Sequence, residues 1–351
     1  MSANTQQPQK EYVVGIVGAS GAVGEELLLV LEQRNFPIKK LVPLASQRSI
    51  GKNVEFRGKH YPILETTKQV FQQEGIEIAF FSAGSSVSQE YALDAVNSGS
   101  LVIDNTSFFR MQKDIPLVVP EVNPSDITKD STIIANPNCS TIQMVHVLAP
   151  LHKEFEIERV DVSTYQAVSG AGKRGMEELV VQMQKFFAFE LDSIESKVFQ
   201  HKIALNLIPH IDVFLENNYT KEEMKMVNES QKIMHANFQL SATCVRVPIL
   251  RSHSESITIR FKKEVSANKA REILANAQSI IVLDSPQENR YPMPLIATNT
   301  DETFVGRIRE DNFDKRILHV FCVADQVRVG AATNAVRIAE KWISLFDQNK
   351  I

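Results

Sequence analysis

Between Tyr12 and Gln33 the chain reads YVVGIVGASGAVGEELLLVLEQ, and no other stretch restricts its folding options as much. The apolar, β-branched run Tyr12 to Val17 reads as a buried parallel strand. Glu25 to Gln33, with leucines at 27, 28 and 31, reads as an amphipathic helix. Between them lie Gly18, Gly21 and Gly24. The whole chain of 351 residues has only 14 glycines, yet Gly15, Gly18, Gly21 and Gly24 crowd together, as do Gly170, Gly172 and Gly175. Glycine costs entropy in ordinary helix or strand, so such clusters mark unusual backbone. In a strand–loop–helix unit Gly18 permits the tight turn and Gly21 lets N–H groups approach a pyrophosphate. Gly24 allows close helix–strand packing, and the helix N-terminus adds positive potential. The spacing G-x-x-G-x-x-G is a variant of the commoner G-x-G-x-x-G, and a tight turn with no ligand is the alternative.

Further strands are expected at Lys40 to Ala45, Ile76 to Ser82, Leu101 to Ile103 and Thr132 to Ala135, with a helix at Val87 to Val96. Strands alternating with helices predict an α/β fold with a Rossmann-type doubly wound parallel sheet. Beyond Cys139 the pattern changes. Arg159 to Tyr165, Thr243 to Ile249, Ser256 to Phe261 and Ile317 to Ala324 alternate apolar and polar residues, as half-exposed strands of one larger sheet do. Helices are expected over Met176 to Phe187, Lys221 to Met234 and Gly330 to Phe346, the last returning to the first domain. The expected organisation is a disordered tail over 1–10, one domain from 11–138 and 331–351, and a second from 139–330.

Net charge is −4, from 38 basic and 42 acidic residues that are interspersed. No basic tract marks a nucleic-acid footprint. No apolar run approaches the roughly 20 residues that span a bilayer. The polar start, Met1 to Lys10, lacks the features of a signal or transit peptide. Three widely spaced cysteines, Cys139, Cys244 and Cys322, fit a reducing cytoplasm and no disulfide framework. No metal site is expected.

The second strand ends in Ala45-Ser46-Gln47-Arg48-Ser49, with no acid for a ribose hydroxyl. An arginine between hydroxyls suits a 2′-phosphate, which favours NADP over NAD; a solvated loop arginine is the alternative. Ser82-Ala83-Gly84-Ser85 ends the third strand, where a ligand crevice is expected. Asn136-Pro137-Asn138-Cys139 leads into an apolar helix. A thiol there meets the helix dipole and free N–H groups, which favour the thiolate and can hold an oxyanion. Cys244 and Cys322, inside strand patterns, read as core. A thiolate wants an acid/base partner. His253, in Arg251-Ser252-His253-Ser254, reads as lying in a polar turn between strands, with His210 the runner-up. Arg110 follows a strand and Arg246 lies within one; each wants an anion unless it faces solvent.

With these pieces together, the sequence closely resembles the aspartate-β-semialdehyde dehydrogenase family from about Tyr12 to Glu340. The segments that carry the resemblance include GASGAVG (18–24), DNTSFFRM (104–111), VVPEVN (118–123), ANPNCSTIQ (135–143), TYQAVSGAG (164–172) and IPHIDVF (208–214). Others are YTKEEMK (219–225), RVPILRSHSE (246–255), YPMPL (291–295), VGRIR (305–309) and RVGAATNAV (328–336). The subtype resembled is the bacterial, Gram-positive-like branch. One departure is Ser82-Ala83-Gly84-Ser85-Ser86, where a second glycine is usual.

The resemblance implies NADPH-dependent reductive dephosphorylation of L-4-aspartyl phosphate to L-aspartate 4-semialdehyde and phosphate through a cysteine thioester. This reaction feeds lysine (through diaminopimelate), methionine, threonine and isoleucine synthesis. The second domain becomes an α+β catalytic and dimerisation domain with a mixed sheet, and the protein a homodimer. By family position Cys139 is the nucleophile, His253 the general acid/base, and Gln166 orients the substrate. Arg246 clamps the α-carboxylate, Glu222 meets the α-amino group, and Arg110, Asn138 and Lys225 hold phosphate. NADP falls to Gly18, Ser20, Gly21, Ala22, Val23, Gly24, Ser46, Arg48, Ser49, Ser82, Gly84, Ser169, Gly170 and Asn334. N-acetyl-glutamyl-phosphate reductase shares the logic, but its cysteine segment typically reads NPGC. A catalytically silent NADP-binding sensor is the alternative from another class.

Overall fold

The strands of the first half are β1 (Tyr12–Val17), β2 (Ile38–Ala45), β3 (Asn53–Phe56), β4 (Lys59–Pro62), β5 (Leu64–Glu65), β6 (Ile78–Phe81), β7 (Leu101–Asp104) and β8 (Ile133–Ala135). They belong to a computed structural model that describes residues 10–346. The expected disordered tail, apart from Lys10, lies outside the described residues, as do positions 347–351. Six of these strands form a sheet in the order β5-β2-β1-β6-β7-β8, parallel throughout. β3 and β4 pair as a separate hairpin. The chain leaves β1 toward β2 on one side and fills the other side from β6 onward. The order reverses between β1 and β6, and the crevice at such a switch point lies outside the strand C-termini. Gly18 follows β1 there, and Ser82 follows β6.

The glycine loop is shaped by steric demand. Gly18 has φ +94°, and a Cβ there would meet Ala83 N and Ser82 Oγ at 3.0 Å. A Cβ on Gly24 would collide with the Gly18 carbonyl oxygen and lie 2.8 Å from Ala19 Cα. The helix Ala22–Gln33 begins at Gly21, which offers no side-chain cap. Its first-turn N–H groups therefore face the loop without an intrahelical or capping partner.

The second half supplies β9 (Ile157–Gln166), β10 (Gln239–Arg246), β11 (His253–Phe261), β12 (Ile280–Val282), β13 (Thr303–Glu310) and β14 (Ile317–Ala324). They form a mixed sheet ordered β10-β9-β11-β14-β13-β12, with parallel pairs only at its two edges. The helix Cys139–Phe155 joins the two halves. Its Met144, Val147, Leu148 and Leu151 enter the core of the mixed sheet. Its Ile142 and Val145 enter the core under the parallel sheet, beside Phe81 and Val102. The final helix, Thr333–Phe346, packs Ala335, Val336 and Ile338 against Val14, Ile16 and Leu27.

Three details differ from the sequence expectations. The expected strand Thr243–Ile249 runs from Gln239 and stops at Arg246; Pro248, which has no N–H to give a ladder, follows closely. His253 is not in a turn but is the fully buried first residue of β11, because Ser252 absorbs the bend at φ +75°. The expected helix from Gly330 begins as a π-helical turn, Arg328–Ala332, which brings Gly330 against Cys139.

Gly24→Ala should cost about 1–3 kcal/mol, the range for overpacking against backbone that cannot yield. A thermal melt reads it as a lower Tm. An unchanged Tm would mean that the loop has room the geometry denies.

Candidate active site

The residues around Cys139 come from both halves. Asn138 caps the helix Cys139–Phe155: its Oδ1 accepts from the N–H groups of Ser140 (3.0 Å) and Thr141 (3.2 Å). Two donors expected to be free for an oxyanion are thus already engaged. Asn138 Nδ2 donates to Glu222 Oε1 at 2.8 Å. Glu222 also accepts from Lys225 Nζ at 2.9 Å and, weakly, from Gln166 Nε2 at 3.5 Å. Lys225 reaches Asp212 as well, at 2.9 Å. Burial pushes the Glu222 carboxyl up, but Lys225, Asn138 and Arg110 overcome this and hold it below the usual carboxylate range.

The thiol runs opposite to expectation. Burial first, and Glu222 second, push Cys139 up to about 12, against Arg110, Arg246 and the Ser140 N–H, which pull it down. The helix N-terminus does not by itself yield a resting thiolate, because a carboxylate faces the same sulfur. Cys244 and Cys322 are fully buried, as expected of core thiols.

His253 Nδ1 accepts the Ala167 N–H at 3.1 Å. The proton of the neutral ring therefore sits on Nε2, which has no partner among the described residues. Burial, then Arg246, keep the ring well below its ordinary pKa, hence uncharged at neutral pH. Arg246 is 7% exposed. It donates to the Ala167 carbonyl at 2.6 Å and forms no ion pair among the described residues. Gly170 closes this corner: a Cβ there would lie 2.9 Å from Arg246 Nη1 and 3.4 Å from His253 Nε2. Arg110, the other guanidinium that acts on the sulfur, donates to Glu229 Oε1 (3.1 Å) and the Asn105 carbonyl (2.9 Å), leaving Nε unpartnered among the described residues.

The other expected residues divide into two groups. Gly18, Ser20, Gly21, Ser46, Arg48 and Ser82 line a cavity of about 540 Å³. Ser49 joins its rim through a 3.2 Å contact with Ser20. Ala22, Val23 and Gly24 form the helix start beneath it. Gly84, at φ +98°, starts the helix Ser85–Asn97 beside it. Ser169, Gly170 and Asn334 lie away from that lining. Ser169 is buried against Gln326. Asn334 donates to the Val118 carbonyl and to Asn136 Oδ1, bracing the turn before Cys139, and its own Oδ1 is unpartnered. His210, the runner-up base, stacks on Phe214 with ring centroids 4.3 Å apart. Glu229 and Gln326 escaped the sequence reading. Glu229 had a signal, since it lies seven residues after Glu222 and so on the same helix face. Gln326 had none.

This arrangement can attack an electrophilic carbon with sulfur, bind anionic groups near it, and donate a proton from a neutral imidazole. Residues 13–130 match the family model described as semialdehyde dehydrogenase, NAD binding domain, and residues 148–329 match its dimerisation domain. The aspartate-semialdehyde dehydrogenase of Campylobacter jejuni is 63% identical over 96% of this chain and 98% of its own length. That of Bacillus subtilis is 46% identical over 93% and 96%. The higher identity to the Campylobacter enzyme does not support a Gram-positive-like branch. A solved structure of aspartate semialdehyde dehydrogenase II from Vibrio cholerae, complexed with ASA, superposes with a TM-score of 0.92 at 43% identity, over 96% of this chain and all of that one. Matches of this extent across both halves place the chain in the aspartate-semialdehyde dehydrogenase family of oxidoreductases.

Proposed function

We propose that the chain reduces L-4-aspartyl phosphate to L-aspartate 4-semialdehyde with release of phosphate, using NADPH, with Cys139 as nucleophile. The observation that carries this reading is the charge layout about one sulfur: Arg110 and Arg246 both act on Cys139, and neutral His253 stands beside Arg246. Arg246 is a buried fork without an anion, suited to bidentate binding of the substrate α-carboxylate. Glu222 suits the α-amino group. Arg110, Asn138 and Lys225 form the phosphate site. Gln166 orients the substrate.

Sulfur attacks the acyl carbon as the thiol proton passes to the departing phosphate, giving a thioester on Cys139. A substrate ammonium paired with Glu222 neutralises the carboxylate that holds the thiol up, so binding itself favours the nucleophilic form. A dinucleotide held by the glycine loop would supply the hydride that reduces the thioester. His253 Nε2–H lends its proton to the developing oxygen and takes it back as the C–S bond breaks, which releases the aldehyde and returns sulfur to Cys139 as the thiolate. The glycine loop fits a dinucleotide: a Cβ at Gly18 or Gly24 would crowd its neighbours, and Gly18, Ser20 and Gly21 line the cavity before a helix N-terminus with no side-chain cap. Arg48 with Ser46 and Ser49 favours the 2′-phosphate of NADP over NAD. Ser169, Gly170 and Asn334 lie toward the reactive end.

The proposed domains are 11–138 with 331–351 for the dinucleotide, and 139–330 for catalysis and dimerisation. Exposed Val181, Phe187, Leu207 and Phe214 supply apolar surface for a homodimer. The proposed setting is the bacterial cytoplasm, where the product feeds lysine, methionine, threonine and isoleucine synthesis. No helix among the described residues is long and apolar enough to cross a membrane.

Phosphate-dependent NADP⁺ reduction with aspartate semialdehyde tests the whole reading, run beside NAD⁺ and beside the N-acetylated glutamate aldehyde. Activity with the N-acetyl substrate alone would overturn it. Cys139→Ala should lower turnover roughly 10⁴-fold or more while dinucleotide binding persists. Arg246→Lys should raise the aldehyde KM at least about tenfold, because a point charge cannot replace the fork; an unchanged KM removes the carboxylate role. With the thiol near 12, alkylation of Cys139 by iodoacetamide in the free enzyme should rise about tenfold per pH unit from pH 7 to 9. A plateau below pH 8 would reveal a resting thiolate.

A further inference from the structure

Glu229 is buried within the helix Lys221–Met234, two turns beyond Glu222, and both its oxygens are committed. Oε1 accepts from Arg110 Nη1 at 3.1 Å. Oε2 accepts the backbone N–H of Asn138, the residue before the nucleophile, at 2.6 Å. One carboxylate thus ties the guanidinium of the anion site to the turn that presents the sulfur. The same helix fastens the Arg110 loop a turn later, where Lys232 Nζ donates to the carbonyls of Arg110, Gln112 and Ile115, each at 2.8 Å.

We propose that Glu229 is a positioning residue for the reaction: it sets the spacing between the phosphate-binding face of Arg110 and Cys139. The inference rests on the phosphate role of Arg110 proposed above. With Nη1 and Nη2 anchored to Glu229 and the Asn105 carbonyl, the guanidinium cannot swing, and its unpartnered Nε keeps one orientation. An anion leaving the acyl carbon must lie beside both this group and the sulfur, so an error in their separation acts directly on the step. The geometry also explains why a second acid lies within the anion site, where it would otherwise weaken anion binding. A carboxylate accepts from two donors at once. Glutamine at 229 would offer only one acceptor and would turn a donor toward either Arg110 or the Asn138 N–H.

The test is phosphate kinetics on Glu229→Gln, Glu229→Asp, Arg110→Ala and the double variant Glu229→Gln/Arg110→Ala. Each is checked by thermal melt and by the iodoacetamide rate at Cys139. Glu229→Gln should raise the phosphate KM about tenfold, the size of one lost charge-assisted hydrogen bond, while the aldehyde KM stays within about twofold. Arg110→Ala should mask the effect, so that the double variant is no worse than Arg110→Ala alone. The alkylation rate should change several-fold in Glu229→Gln. If that variant does not fold, Glu229→Asp, too short to span both donors, should raise the phosphate KM alike.

A lowered phosphate KM would make Glu229 merely a charge that opposes the anion, and would overturn the proposal. So would unchanged phosphate kinetics with only a lower Tm, or effects that add in the double variant. If Arg110→Ala leaves the phosphate KM unchanged, the phosphate role of Arg110 falls. The alkylation rate then decides about Glu229, and an unchanged rate in Glu229→Gln ends the proposal.

Discussion

The helix Cys139–Phe155 is buried from Ser140 to Ala149, one flank in the core of each sheet. A helix hydrophobic on most sides is stable only inside a protein, so the two sheets must enclose it for Cys139 to have a fixed place. Among its buried polar residues, His146 bonds Thr303 at 2.9 Å and lies 3.5 Å from Glu121. Burial pushes Glu121 up, but His146 and Arg337 hold it at about 2, a buried anion with charged and hydrogen-bonding neighbours. The N-terminus of the helix is left as the point where both sheets, the π-helical turn and the helix Lys221–Met234 converge. Cys139 therefore owes its position to packing along the whole helix.

That dependence explains which features were legible in the sequence. The parallel strands, the glycine loop and the nucleophile helix announce themselves locally, through apolar runs, turn residues and caps within a few positions. Cys139 stands out on such signals. Its ionisation does not, because the decisive groups, the burying walls and Glu222, come from distant segments. The expected turn at His253 is overturned for a related reason. A run of arginine, serine, histidine and serine reads as solvated, yet Arg251 is tied to Glu26 and Asp325 at 2.7 Å, which draws the segment inward. Glu26 also holds Arg328, two residues before the glycine against Cys139. Polar residues were placed inside by partners that no local pattern reveals. The family resemblance supplied Glu222 and Lys225 without their geometry, and it did not point to Glu229.

The two glycine clusters were conspicuous for the same compositional reason and turn out to differ physically. Gly24 is required by close backbone approach within one strand–helix unit, and Gly18 by its positive φ and the approach of Ser82 and Ala83 after β6. Gly170 is required by side chains, since Arg246 and His253 occupy the space a Cβ would take. The clusters nevertheless meet: Lys173, just after the second, bonds Glu25 at 2.6 Å and the Ser20 carbonyl at 3.3 Å. Glu25 and Lys173 are about half exposed, so this contact contributes little to stability. Its consequence is geometric, because it links the glycine loop after β1 to the loop beside the imidazole.

The charges around the sulfur form a set that is balanced by the protein itself. Lys225 answers Glu222, and Arg110 answers Glu229. Among the described residues no carboxylate pairs with Arg246, and burial lowers its pKa. Buried ion pairs recover their desolvation cost only when further hydrogen bonds complete them. Asn138 provides those bonds to both acids, through its side chain to Glu222 and its backbone to Glu229. Glu222, tied to Lys225 and Asn138, thus acts on the thiol second only to burial itself. Asn138 joins that acid to the sulfur because it caps the helix on which the thiol stands.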